Sequence, residues 1–215
     1  MSNESLSKTA AKSFFWVAID VLGQRLLQFI IGIILARILL PQEFGLIGLI
    51  SIFLAFSMVF IESGFSFALI RKKEIEDIEY TTVFWFNLGT SIVFYVILFL
   101  SSTLIAKFYD QDILINIIKL VGLNLIINAI GSTQNVRLRK ELRFKEITII
   151  GFFSKIISGS IALYMAFNGY GVWSLVAQQL ILNSVKVILM IYINWFLPSL
   201  NFSISHFKSL FSFSY

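Results

Sequence analysis

Apolar runs dominate this chain, interrupted at intervals by short polar breaks. Mostly apolar stretches of the length that crosses a hydrocarbon layer, roughly 20 residues, fall at about 14–36, 45–69, 82–106, 113–135, 147–167 and 171–196. Between them, "LLPQEFG" contains the helix-stopping Pro41 and ends in Gly45, "RKKEIEDIEY" and "RLRKELRFKE" are charge runs, "KFYDQD" is polar, and "NGYG" is a tight glycine turn. The pattern predicts six transmembrane helices, antiparallel neighbours in one compact bundle: an all-α, polytopic membrane protein. A membrane barrel would instead need strands of about ten residues with alternating polar faces.

Composition agrees with this. Of 215 residues, 58% are hydrophobic and only 13% charged, against about 25% charged in a soluble domain. The chain reads as a cytoplasmic tail (1–13), a six-helix lobe (14–196) and a C-terminal segment (197–215) that is either a second cytoplasmic tail or the start of a seventh helix. The N-terminal "MSNESLSKTAAK" lacks the apolar core and cleavage site of a removable signal peptide, so the first span is expected to serve as its own insertion signal. With no cysteine, disulfides and thiolate chemistry are unavailable. If the N-terminus is inside, eleven cations lie on the inner side: Lys8, Lys12, Arg71, Lys72, Lys73, Arg137, Arg139, Lys140, Arg143, Lys145 and Lys208. Only Arg37 and Lys107 lie outside. This positive-inside bias predicts that both ends are cytoplasmic. The net charge of +5 then suits membrane lipids of an anionic inner leaflet and not nucleic acid.

Arg25, Lys119, Lys155 and Lys186 remain within the spans, with Asp20 and Glu62. A charge at the bilayer centre costs on the order of 3 kcal/mol on translocon scales, so each needs a partner, an aqueous cavity or a route to the interface. Lys119 is near enough to its helix start to snorkel to the outer headgroups. Glu62, before Ser63 and Gly64, reads either as a solvated or capping carboxylate or as a functional one. Lys155 and Lys186 sit too deep for easy snorkelling. At 100° per residue, Gln179, Asn183 and Lys186 share one stripe, Asn124, Asn128 and Asn135 another, and Asp20, Gln24 and Gln28 a third, with Arg25 at its edge. These faces are expected to look into the bundle. For Gln24 and Gln28, interhelical glue and cavity lining are equally good readings. A polar interior with excess positive charge suits an anionic hydrophilic cargo, and Asp20 or Glu62 could carry a coupling ion. The inner loop cations Arg137, Arg139, Lys140, Arg143 and Lys145 either lie on the leaflet surface or simply set topology.

An enzyme is not indicated. His206 is the only histidine, no acidic pair has metal-ligand spacing, and neither a GxSxG elbow nor a glycine-rich phosphate loop is present. Cofactor and metal sites are expected to be absent.

Six stretches carry a further signal together: "LARILLPQEFGLIGLISIF" (35–53), "SGFSFALIRKKEIE" (63–76), "TVFWFNLG" (82–89), "IAKFYDQ" (105–111), "RLRKELRFKEI" (137–147) and "NGYGVWSLVAQQL" (168–180). In combination they resemble the polysaccharide-transporter branch of the multidrug/oligosaccharidyl-lipid/polysaccharide flippase superfamily, which includes O-antigen and exopolysaccharide flippases. The resemblance implies a bacterial inner-membrane protein that moves a polyprenyl-diphosphate-linked oligosaccharide between leaflets by alternating access. It also implies two six-helix lobes around a central, often cationic cavity. Only one lobe is present here, so the chain is expected to be a fragment or truncated frame, or to need a second copy or a separate second lobe. The alternatives are a transport-incompetent membrane fragment that only folds or binds a partner, and a cation-coupled drug exporter on the same fold.

The topology is directly testable. Single cysteines at Asn168 and Glu141 should react with a membrane-impermeant maleimide from outside and inside respectively. The reverse pattern at either site would reject the placement of the fourth and fifth spans.

Overall fold

The computed structural model describes residues 3–62, Leu69, 75–195, Pro198 and Ser199, with residues 3–15 and 17–20 and Glu62 described in backbone only. Among these residues the fold is all-helical: α1 Asn3–Ile38, α2 Pro41–Glu62, α3 Asp77–Phe108, α4 Ile113–Lys140, α5 Phe144–Phe167 and α6 Val172–Asn194. All six are long and apolar enough to cross a membrane. Most of them run further than the apolar runs alone suggested. The cations Arg137, Arg139 and Lys140 belong to the last turn of α4, because a basic helix end complements the macrodipole and the charge run need not break the helix.

Local chemistry sets the boundaries. Pro41 opens α2, where its missing N–H costs nothing, and Glu43 reaches back to accept a hydrogen bond from Leu40 N at 2.8 Å. At α3, Glu79 likewise accepts from Glu76 N at 3.2 Å, half of a capping box. Three helices end in the same hydrogen-bonded wrap. Gln111 N bonds Ala106 O at 3.0 Å, Arg143 N bonds Leu138 O at 2.9 Å, and Tyr170 N bonds Met165 O at 3.1 Å. Each places the preceding residue, Asp110, Leu142 or Gly169, at positive φ, as the Schellman motif requires.

Spatial order differs from chain order. α1 lies on α5, α5 on α6, α6 on α4 and α4 on α3, while α2 touches α3, α4 and α6. The α1–α5 seam follows from a stripe of small residues on α5: Gly151, Ser154, Ser158, Gly159, Ala162 and Ala166, all buried. Small residues let helices approach in lipid, where apolar side chains gain little by leaving the hydrocarbon. A Cβ at Gly159 would collide with Ile31, and one at Gly151 with the Gln24 amide. α5 also donates to an α1 carbonyl, from Lys155 Nζ to Gln24 O at 2.9 Å, and Thr148 Oγ1, 3.2 Å from Trp16 O, shares its one proton with Phe144 O at 2.9 Å.

Packing is uneven along the bundle. At the end carrying the α1–α2, α3–α4 and α5–α6 turns, one large cluster joins α2, α3, α4 and α6 through Ile50, Ala106, Leu114, Ile117, Val121, Leu125 and Val176. A second cluster there joins Leu35 and Leu39 to Ala162, Ala166 and Leu175. At the opposite, basic end the core divides into two small clusters, one around Tyr80, Val83 and Val136 and one around Leu138, Ile147, Ile150 and Met190. Outward faces are apolar, with Leu22, Leu26, Phe56, Val59, Leu100 and Leu104 exposed, as lipid solvation requires.

Two helix-end residues predict opposite outcomes in thermal unfolding of the purified protein. Gly171 has φ 56° and ψ −132°, and a Cβ there would strike the Glu43 carboxylate, so Gly171→Ala should lower stability by roughly 1–2 kcal/mol or more. Leu142 holds φ 56° while exposed, so Leu142→Gly should raise stability by up to about 1 kcal/mol. A destabilised Leu142→Gly protein would mean that the α4–α5 turn is held by its side chain.

Candidate functional site

Between the two small clusters at the basic end lies a cavity of about 130 Å³, formed where α2, α3, α4 and α6 meet. Its polar wall is Asn87 from α3, Asn128, Ser132 and Asn135 from α4, and Lys186 from α6. Met58, Ile61, Val187 and Met190 supply the apolar part. Helix lengths fix its depth. Asn135 is five residues from the end of α4 and Lys186 eight from the end of α6, about 8 and 12 Å at 1.5 Å per residue. The cavity therefore occupies the half of the bundle nearest the polybasic turn.

Hydrogen bonds along the wall determine how its amides are oriented. Ser132 Oγ donates its single proton to Ala129 O at 2.9 Å. Toward Asn87, 3.2 Å away, it can only accept, so the Asn87 group facing it is the NH₂. Asn87 Oδ1 is left, enclosed and with no hydrogen-bond partner. Asn135 Oδ1 accepts from Arg139 Nε at 3.0 Å, joining the cavity wall to the basic helix end.

The remaining expected residues fall at three other places. Asn183 Nδ2 donates to Asn124 Oδ1 at 2.8 Å, an amide pair that bridges α6 and α4 with Asn124 only 5% exposed. Gln179 is half-buried on the same helix. Lys155 bonds the Gln24 carbonyl, so its charge serves the α1–α5 seam. Lys119 lies over the Phe99 ring, 4.8 Å from the centroid, a cation–π contact that accommodates the charge within the bundle surface. Arg25 and Gln28 are exposed and line an open groove along α1 with Phe29, Gly32, Ile33 and Ala36. The structure thus brings Lys186 and Asn128 together in one cavity, while Arg25 and Lys155 do not line it.

The polar face of α1 is divided for a geometric reason. The residues that pack toward α5 include Gln24, Ile31 and Leu35, centred near Gln24 in helical phase, and Arg25 lies about 100° further round. With α5 as its main neighbour, α1 turns Gln24 inward and leaves Arg25 on its open side, and Gln28, although only about 40° from Gln24 in phase, is exposed beside it. The side chains of Asp20 and Glu62 lie outside the described residues.

At the polybasic turn, Arg137 pairs with Glu141 at 3.2 Å and Asp77 at 3.8 Å, and Arg143 with Glu141 and Glu146 at 3.3 Å each. Lys145 Nζ sits 5.9 Å from the Trp16 ring centroid. Much of this charge therefore ties α3, α4 and α5 together. Such exposed pairs contribute about 1 kcal/mol or less each.

Asn87 and Ser132 are wall residues that helical phase did not single out. The signal was present for Asn87 in "TVFWFNLG", where one amide interrupts an apolar and aromatic run. Among the described residues no cluster of His and carboxylates could hold a metal ion.

Residues 34–215 match the family described as polysaccharide biosynthesis protein. Over 97% of its length the chain is 27% identical to the teichuronic acid biosynthesis protein TuaB of Bacillus subtilis, covering 44% of that protein. It is 24% identical, again over 97% of its length, to the succinoglycan biosynthesis transport protein ExoT of Rhizobium meliloti, covering 42%. Over 68% of its length it is 31% identical to the lipopolysaccharide biosynthesis protein WzxC of Escherichia coli, covering 30%. The chain thus spans less than half the length of these relatives. No solved structure matches it.

The Asn124–Asn183 bridge gives a measurable coupling. Asn183→Leu should destabilise the bundle by orphaning Asn124, and in a double-mutant cycle with Asn124→Leu the coupling should be about 0.6 kcal/mol, up to roughly 1.7. Additive single effects would show that the two amides are not a structural pair.

Proposed function

The chain belongs to the polysaccharide biosynthesis protein family, and from that premise we propose that it is one lobe of a flippase that moves a polyprenyl-diphosphate-linked oligosaccharide from the inner to the outer leaflet of the bacterial cell membrane. The observation that carries this reading is the family match over residues 34–215, on a chain of six spans, four of which line a polar, lysine-bearing cavity. The family is one of transporters, which supports a non-catalytic role. Orientation with the N-terminus inside rests on the positive-inside distribution of Lys and Arg, and it puts the cavity in the half of the bundle nearest the leaflet where cargo is loaded.

The two polar regions divide the work by chemistry. Arg25, on the open face of α1 beside Gln28, carries the planar fork suited to bidentate contact with a diphosphate. A cation on an otherwise apolar helix face is costly in lipid, so this face meets polar cargo or a second lobe. Asp20 and Glu62 are the carboxylates for ion coupling. That the chain covers 44% and 42% of two relatives supports a requirement for a second lobe.

Proteoliposomes containing a fluorescent polyprenyl-diphosphate oligosaccharide test the proposal, with an impermeant quencher reporting the exposed leaflet. This chain reconstituted with the uncovered portion of a relative such as TuaB should translocate the label, and this chain alone should not. No translocation by either preparation, with both halves shown to be folded, rejects the flippase reading. Equal translocation of a fluorescent phospholipid would replace it with non-selective lipid scrambling.

A further inference from the structure

The cavity at Lys186 offers more hydrogen-bond donors than acceptors, and that imbalance bears on what it can hold. Asn128 lines its wall half-buried, twelve residues from the end of α4, about 18 Å at 1.5 Å per residue. Among the described residues nothing bonds its amide. Asn135 Oδ1 is taken by Arg139 Nε, and an arginine only donates, so the group Asn135 has left to offer the cavity it lines is its NH₂. Ser132 has given its proton to Ala129 O and accepts from Asn87, which leaves it one lone pair. Lys186 brings an ammonium group to the same wall. Two NH₂ groups and a cation therefore face a single amide oxygen and that lone pair. At this depth no bulk water completes polar groups, and an amide without a partner is costly.

We propose that the cavity binds a small monovalent anion of the chloride class, held by the Asn128 and Asn135 NH₂ groups with Lys186 supplying positive charge. Such a site is additional to the cargo contact assigned to Arg25 and stands whether or not the chain is a flippase lobe. Size and charge both select the ligand. About 130 Å³ is the space of about four waters at ~30 Å³ each, room for one partly hydrated ion. The cavity's lysine suits one negative charge and not the several of a diphosphate. A metal cation, which needs several oxygen ligands, finds one amide oxygen beside an ammonium group.

The test uses the 215-residue chain in nanodiscs of zwitterionic phosphatidylcholine. Chloride is the probe and its chlorine NMR linewidth the readout, since exchange with a bound site broadens the line of the free ion. The unmodified protein should broaden the line saturably. Nitrate, equal in charge and small enough to enter, should reverse the broadening, whereas gluconate, equal in charge and too large for the cavity, should not. Asn128→Asp keeps the side chain's shape and replaces its donors by a negative charge, so it should abolish the saturable broadening. Asn128→Leu should weaken binding about tenfold, the effect of losing one hydrogen bond to a charged group, and Lys186→Gln should weaken it at least as much. Lys119→Gln removes a cation that lies over Phe99 and lines no part of the cavity, and it should leave binding within about twofold. Broadening that does not saturate, or that gluconate reverses as well as nitrate does, would overturn the proposal. So would broadening that survives Asn128→Asp and Lys186→Gln in folded proteins, which would place the anion on the cations of the α4–α5 turn. No broadening by the unmodified protein would make the cavity a water pocket and reject the site. Asn128→Leu, which adds no charge, decides the matter if Asn128→Asp does not fold. Failure of chloride binding alongside successful translocation in proteoliposomes would reject the anion site and leave the flippase reading intact.

Discussion

Inside hydrocarbon there is no water to complete a hydrogen bond, and the rest of this structure depends on that constraint. Backbone groups meet it by forming helices, since an unsatisfied amide in lipid costs several kcal/mol. Side chains meet it in ways that depend on their reach. Short hydroxyls turn back on their own helix: Ser57, Thr82 and Ser154 bond the carbonyls four residues earlier at 2.7–2.8 Å. They need no partner helix, so they specify little about packing. Amides reach further, and buried ones bridge helices, as Asn183 does to Asn124 and Asn194 to Gln134. Cations reach furthest and end on a carbonyl, an aromatic face or a cavity, as Lys155, Lys119 and Lys186 do.

This hierarchy explains what could be read from the chain beforehand. The six spans and the all-helical class were legible because they depend only on run length and on the composition of the breaks. The stripes on α4 and α6 were legible too, as helical phase alone put Asn124 and Asn128 on one face and Asn183 and Lys186 on another. Which stripe meets which was not. Phase assigns a residue to a face of its own helix, while the spatial order α1, α5, α6, α4, α3 depends on long-range fit, such as the small-residue groove of α5 against Ile31. For that reason the division of Arg25, Lys155 and Lys186 among three environments lay beyond a one-dimensional reading. Asn87 was the only amide on its face, where Ser91 and Ser102 lie within about 60° of it, although it belongs to the cavity wall.

The helix boundaries show a related limit. Charge runs marked the turns but overstated their length at the α4–α5 connection, where Arg137, Arg139 and Lys140 continue the helix. A charged residue ends an apolar run without ending a helix. What ends α4 is the wrap at Leu142, and no residue there announces it, since leucine is an unusual occupant of positive φ. The α5–α6 turn was easier, because Gly169 and Gly171 supply the same conformations openly.

The position of the cavity follows from how the two ends of the bundle are tied. At one end three tight turns hold consecutive helices together. Glu43 adds a link across them, bonding Leu40 N while its carboxylate rests against Gly171 at the start of α6. Two helix N-termini thereby share one anion, a favourable arrangement for both dipoles, and the helices behind them converge on a single apolar cluster. At the other end fourteen residues separate α2 from α3, the apolar core splits in two, and the α4–α5 turn, closed by its own wrap at Leu142, adds only surface ion pairs that contribute little. Side chains that fill the first end completely leave a gap at the second. Since a gap in a membrane protein persists as hydrated space only where polar groups line it, the residues that matter there are the amides Asn128 and Asn135, with Ser132 and Lys186 beside them.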